Sequence, residues 1–252
     1  MTLPTTERPQ PTERAPPADA GSQGDGQTIV FQARGLTKVY RMGEVDVKAL
    51  DRVSLRIPQG AFAALVGPSG SGKTTALNLI GCLDRPSAGT YSLDGVDVAT
   101  ASDDRLSHLR SRCIGFVFQT FNLIPHLTVA QNVALPFLYR SDNRGDVDRR
   151  VALAIEQVGL QSRSDHRPAE LSGGEMQRVA VARALAIDPS VILADEPTGN
   201  LDARTGRTIM ELFQRLHGQG RSIIMVTHDR QVASCADACI FLQDGRIVDA
   251  LE

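Results

Sequence analysis

Tryptophan is absent from the 252-residue sequence, and lysine and cysteine are scarce, at three and four residues. Long apolar runs are missing too. The longest, such as Ala61 to Gly67 and Ile223 to Val226, fall far short of the roughly 18 residues that cross a bilayer, so the chain is expected not to span a membrane by itself. The cysteines, Cys82, Cys113, Cys235 and Cys239, show no CxxC spacing and no histidine at zinc-finger distance. They read as reduced thiols in a cytosolic compartment rather than as metal ligands. Excess positive charge is lacking as well: 27 Lys+Arg stand against 29 Asp+Glu. Residues 1–27 hold four acids and two arginines, so 28–252 balances at 25 of each sign. A neutral domain has no broad basic field, and no nucleic-acid partner is expected.

Residues 1–27 also carry five of the 13 prolines and only Met1 and Leu3 as large apolar side chains. Such a segment buries too little to offset its ordering entropy, and it has no apolar stretch behind its first charges. It is read as a disordered extension, not a secretory signal, which leaves one domain over 28–252.

Within that domain the pattern changes along the chain. From Ile29 to Ile57 it alternates as antiparallel strands do, broken at RMGE. AFAALV follows as a continuous apolar run suited to a strand buried on both faces. Tyr91 to Val98 reads as a hairpin around Asp94-Gly95, and Asp103 to Arg112 as a polar amphipathic helix. The middle, about 120–187, is mainly helical: TVAQNVALPFLYR, VDRRVALAIEQVGL and EMQRVAVARALAI place apolar residues three and four apart. VILA, SIIMV and ACIFL then alternate with helical stretches, as in βα units on a parallel sheet. No internal repeat is evident.

Two motifs carry the chemistry. Gly67-Pro68-Ser69-Gly70-Ser71-Gly72-Lys73-Thr74 fits G-x-x-x-x-G-K-[ST] and lies between a buried strand and a helix. Its glycines let backbone N–H groups curl inward around an anion at a helix N-terminus, with Lys73 reaching the β- and γ-phosphates and the Thr74 hydroxyl binding Mg²⁺. Val191 to Glu196 is an apolar strand ending in two carboxylates. There Asp195 is placed to hold Mg²⁺ and Glu196 to act as general base on the attacking water.

Between the two motifs lies Leu171-Ser172-Gly173-Gly174-Glu175, heading a helical run. With this order of motifs, residues 28 to 252 resemble the nucleotide-binding domain of an ABC-type ATPase. The resemblance implies an α/β fold: a P-loop NTPase (RecA-like) core with an antiparallel β subdomain and a helical signature subdomain. It implies ATP and Mg²⁺ as ligands, with Thr75 and Glu175 joining the nucleotide site. Tyr40 matches the aromatic that stacks on adenine. Gln119 matches the glutamine that contacts Mg²⁺ and the attacking water. Asn200-Leu201-Asp202 matches the loop that crosses to a partner subunit, and His228 the switch histidine at the γ-phosphate. His108, His126, His166 and His217 match nothing of the kind and are read as surface or structural.

In this family two subunits pair head to tail, each ATP lying between Lys73 of one and Ser172 of the other, so a homodimer is implied. DEPTGNLD, NLIGCLDRPSAGTYSLDG and GFVFQTFNLIPHLTVAQNVALPF are similar to the lipoprotein-release and macrolide-export group of bacterial ABC ATPases. That similarity implies a membrane permease subunit with a periplasmic portion as partner, docking around Phe121 to Pro136, and a peripheral place on the cytoplasmic face of the inner membrane. A cell-division type of ABC ATPase, which regulates its membrane partner without moving a substrate, fits the same residues. DNA-maintenance ATPases with the signature carry long coiled-coil insertions, and ribosome-acting relatives carry two ATPase domains; neither is present here.

Overall fold

The computed structural model describes residues 28–140 and 142–250, so the expected extension at 1–27 lies outside the described residues. Two sheets organise the rest. β1 (Ile29–Met42) and β2 (Val45–Pro58) pair antiparallel, and with β4 (Ala88–Leu93) and β5 (Val96–Asp97) they make a sheet of order β2-β1-β4-β5. Asp94 and Gly95 close the β4–β5 hairpin with φ of 49° and 75°, the backbone that matches the twist of paired strands.

The second sheet has the order β10-β9-β3-β8-β7-β6, built from β3 (Phe62–Val66), β6 (Ile114–Val117), β7 (Val191–Asp195), β8 (Ser222–Thr227), β9 (Ala238–Gln243) and β10 (Arg246–Val248). Every pairing is parallel except β9 with β10. Its central strands show no polar alternation because both faces are covered. Ile192, Ala194, Ile223 and Met225 pack into one apolar core, while Val191, Leu193, Ile224 and Val226 pack into another shared with the antiparallel sheet. Among the described residues no helix is long and apolar enough to cross a membrane.

α1 (Lys73–Ile80) follows β3, and α2 (Asp103–Cys113) leads into β6. α3 (Val129–Ala134), α4 (Arg144–Gln157) and α5 (Gly173–Ala186) form the helical part. The single helix read across TVAQNVALPFLYR is divided: α3 stops at Ala134 and a 3-10 turn takes Leu135–Tyr139. Pro136 has no N–H to continue the α-helical ladder. α6 (Ala203–Gly218) and α7 (Arg230–Ala233) complete the set. All four cysteines are free, and burial pushes the Cys82 thiol up to about 11.

Because β3, β8, β7 and β6 are parallel neighbours, their carboxyl ends emerge side by side along one edge. Ligands of open α/β sheets bind along such an edge.

A nucleotide site on the carboxyl edge of the parallel sheet

The loop leaving β3 is shaped by what surrounds it. Gly70 and Gly72 take φ of 80° and 99°, and α1 begins at Gly72 without any side-chain cap, which leaves its first N–H groups for a ligand. A Cβ on Gly67 would lie 2.2 Å from the Leu242 carbonyl oxygen, and one on Gly72 would lie 2.4 Å from that of Ala49. The β9–β10 turn braces the loop from outside, Gly245 N–H donating to Ser71 O at 3.0 Å. Lys73 is only 8 % exposed, and its ammonium donates to Gly67 O at 2.9 Å and Pro68 O at 2.8 Å. Two of its three donors are thus spent inside the loop and one is left for an anion. Pro68, Ser69, Gly70 and Thr74 are exposed at the rim, and Thr75 is half-buried.

Two strands away, β7 delivers Asp195 and Glu196. Asp195 continues the strand, while Glu196 takes φ 45°, a left-handed conformation rare for a side-chain-bearing residue. That kink is fixed by Glu196 N–H donating to Val226 O at 2.9 Å. Burial and the neighbouring Glu196 raise the Asp195 pKa above the usual carboxylate range, with Lys73 pulling the other way. β8, lying between, supplies the partners of Glu196. The Thr227 hydroxyl donates to Oε2 at 3.3 Å, and His228 Nδ1 lies 2.7 Å from Oε1. The expected base and switch histidine therefore touch one another.

Gln119, just past β6, exchanges two hydrogen bonds with Asn200. Its Nε2 donates to Asn200 Oδ1 at 3.1 Å, and Asn200 Nδ2 donates to Gln119 O at 3.1 Å. Asp202 caps α6, accepting from Arg204 N–H at 3.0 Å, Thr205 N–H at 3.1 Å and Thr205 Oγ1 at 2.6 Å. The Leu171–Glu175 stretch forms a capping box: the Ser172 N–H and Oγ donate to Glu175 Oε2 at 2.8 and 2.7 Å. Gly174 is pressed against Thr205, whose Cγ2 would stand 2.4 Å from an added Cβ. Ser172 itself is exposed. Ser172 bonds to Glu175 of α5, Gly173 lies against Leu201 and Gly174 against Thr205, none of which belongs to the phosphate loop.

Several contributors carry no motif. Lys38 and Asp84 hold Tyr40, Arg163 Nε lies 3.4 Å from Glu175 Oε1, and Arg183 donates to the carbonyls of Phe121 and Asn122. For Lys38 a signal existed, since it stands two positions before Tyr40 on one strand. The others are brought in from distant sequence. His217 packs edge-on against Phe62 and lies 3.1 Å from Asp237, and His166 Nε2 lies 3.0 Å from Arg163 Nη1, both away from the carboxylate edge.

An uncapped helix start with a buried ammonium, facing paired carboxylates two strands away, is the equipment of a phosphate-loop ATPase. A family model described as ABC transporter matches residues 50–199. The uncharacterized ABC transporter ATP-binding protein YvrO of Bacillus subtilis is 48% identical over 213 residues, covering 84% of this chain and 93% of that protein. The macrolide export ATP-binding/permease protein MacB of Chlorobaculum tepidum is 51% identical over 214 residues, but these span only 33% of its length. Among solved structures, the cassette MJ0796 in a dimeric post-hydrolysis state bound to ADP and Pi superposes with a TM-score of 0.78. Its identity is 44%, over 86% of this chain and 96% of that one. The chain belongs to the ABC transporter family, as one of its ATP-binding, ATP-hydrolysing subunits.

Proposed function

We propose that this chain is the motor of a transporter of the macrolide-export or lipoprotein-release kind: a homodimer closes on two ATP molecules, opens after hydrolysis, and drives a separate membrane permease subunit with a periplasmic portion. The observation that carries the reading is the division of the site. Lys73 opens α1 just after β3, and Asp195, Glu196 and His228 lie at the ends of the neighbouring strands β7 and β8, whereas Ser172 heads α5 and, among the described residues, its side chain bonds to Glu175 of that same helix. A second subunit supplying Ser172, Gly173, Gly174, Glu175 and Asp202 across the nucleotide completes it, and MJ0796 is dimeric in two solved states. The contacts are reciprocal under two-fold symmetry.

ATP sits with its phosphates in the loop from Gly67 to Thr75 and its base on Tyr40. Lys73 and the α1 N–H groups neutralise the β- and γ-phosphates. Thr74, Gln119 and Asp195 would hold Mg²⁺. No cluster of three His, Cys, Asp or Glu exists among the described residues to cage an ion alone. That suits Mg²⁺, which takes one or two protein ligands and fills its shell with phosphate and water. The ion supplies further charge neutralisation at the phosphates. Glu196, steadied by Thr227 and His228, takes the proton from the water that attacks the γ-phosphorus. The bond to the ADP oxygen breaks and ADP and phosphate result. Loss of the γ-phosphate removes the charge linking the two subunits, and they part.

The permease docks on the cytoplasmic side around Phe121 to Pro136, where Asn122 and Pro136 border a groove of about 440 Å³ between α2, β6 and α5 that Phe116, Phe118 and Tyr139 also line. Glu196→Gln is the test. It keeps the phosphate cradle but removes the base, so ATP still binds, hydrolysis falls about 100-fold or more, and a closed dimer accumulates on size-exclusion chromatography with ATP. Hydrolysis at the parental rate would overturn the assignment of the base.

A further inference from the structure

Tyr40 is held far more firmly than a stacking surface alone needs. Its hydroxyl donates to Asp84 Oδ2 at 2.8 Å. The Lys38 ammonium lies 4.9 Å from the ring centroid and donates both to Asp84 Oδ1 at 2.6 Å and to Arg85 O at 2.7 Å. Asp84 is fixed in turn, Oδ1 accepting from Arg85 N–H at 2.7 Å. Burial and the Asp84 carboxylate raise the pKa of this phenol, and the Thr75 side chain, in the first turn of α1, acts to lower it. This is not an ordinary surface ion pair: the Lys38 side chain is 12 % exposed and that of Asp84 30 %. Pinning the hydroxyl at one end and setting a cation over the ring fixes the ring plane before any ligand arrives. An ammonium can serve a carboxylate, a carbonyl and a ring face together, where a planar guanidinium would impose its own fork geometry.

We infer that Asp84 and Lys38 are positioning residues for the nucleotide base: through Tyr40 they present a pre-set aromatic face on which the base of ATP stacks. The inference rests on the ATP-site reading above. A ring free to swing would have to be ordered on binding, and removing that requirement raises affinity. The effect belongs to the base alone, because the triphosphate is gripped elsewhere, by Lys73 and the loop N–H groups.

That separation provides the experiment. Binding of ATP and of inorganic tripolyphosphate, which has no base, is measured by calorimetry on the full chain and on Asp84→Asn, Tyr40→Phe and Lys73→Ala. Tyr40→Phe cuts the tie and keeps the ring, and Asp84→Asn keeps the size but leaves one neutral acceptor oxygen where Lys38 and Tyr40 each used one. Each is expected to weaken ATP about fivefold, the scale of one net hydrogen bond, and to leave tripolyphosphate at its parental affinity. Unchanged tripolyphosphate binding also certifies that the variants are folded. Parental ATP affinity in Asp84→Asn overturns the proposal, and so does an equal loss for both ligands, which would mean that Asp84 supports the loop rather than the base. Lys73→Ala is expected to lose both ligands. If it keeps both at parental affinity, the phosphate-site reading itself fails and the inference falls with it.

Discussion

The phosphate loop and the signature loop both place glycines ahead of a helix, yet they are built by opposite means. Around Gly67 and Gly72 the nearest crowding atoms are backbone carbonyl oxygens, of Leu242 and Ala49, with the Ser71 hydroxyl also close to Gly67, and the helix start is left uncapped. Around Gly174 the crowding atom is a side-chain methyl, of Thr205, and the helix start carries a capping box made by Ser172 and Glu175. The first loop keeps its N–H groups unspent and its shape enforced. In the second, the polar groups satisfy one another within the chain. A surface that must hold an anion unaided is pre-formed at the expense of capping. One that joins a site only when a second subunit arrives is kept quiet until then.

Alanine at each glycine separates the two loops most sharply. Gly72→Ala puts a Cβ against a carbonyl that cannot turn aside, at a φ of 99°. We expect a loss of about 3 kcal/mol in unfolding free energy together with loss of ATP binding. Gly174→Ala meets a side-chain methyl that gives way as Thr205 shifts and loosens its bond to Asp202, and about 1.5 kcal/mol is expected with ATP binding by the free subunit retained. Denaturant melts and nucleotide titration of both variants check this; equal effects would erase the distinction between the loops.

A smaller effect tests the capping. Glu175→Ala removes the acceptor of Ser172 N–H and Oγ and the partner of Arg163, costing about 1 kcal/mol. If the two residues act as one cap, Ser172→Ala adds little in the Glu175→Ala background. Strictly additive losses in the double variant would mean that the Ser172–Glu175 pair is not a unit.

The contrast also tracks what could be read from the sequence. The apolar strands β3 and β7 and the motifs at their ends were legible because continuous apolar runs and glycine spacing are local signals. The Asp94-Gly95 hairpin was legible for the same reason. β10 was not anticipated, although Asp244 and Gly245, at φ 48° and 74°, form the same type of turn; the three residues Arg246 to Val248 are too few to show a period. The length of α3 was overread because the apolar spacing runs on through Pro136. Asp84 was invisible: it lies 44 positions from Tyr40, and nothing in LDRPS marks it as a partner. The left-handed turn at Glu196 was likewise hidden, since it depends on the carbonyl of Val226 in the neighbouring strand.

The phosphate half should also show a cost that the signature half does not, and its sign follows from the two carboxylates. Burial and Glu196 raise the Asp195 pKa above its unfolded value, whereas bonds from the Ser172 N–H and hydroxyl lower that of Glu175. A raised carboxylate contributes stability that is present below the unfolded pKa, near 4, and is lost as pH climbs through the folded value. A lowered one does the reverse, stabilising at neutral pH and fading as pH falls. Asp195→Asn should therefore stabilise the nucleotide-free protein at pH 7 by about 0.5 kcal/mol, a figure kept small because the side chain is only half-buried and solvent screens it. The gain should vanish toward pH 4. Thermal unfolding from pH 4 to 8 measures it, with Glu175→Gln as the opposite case, destabilised at pH 7 and approaching the parent at low pH. Parallel curves for the parent and Asp195→Asn would show that the carboxylate edge carries no stored charge for a nucleotide-bound cation to relieve.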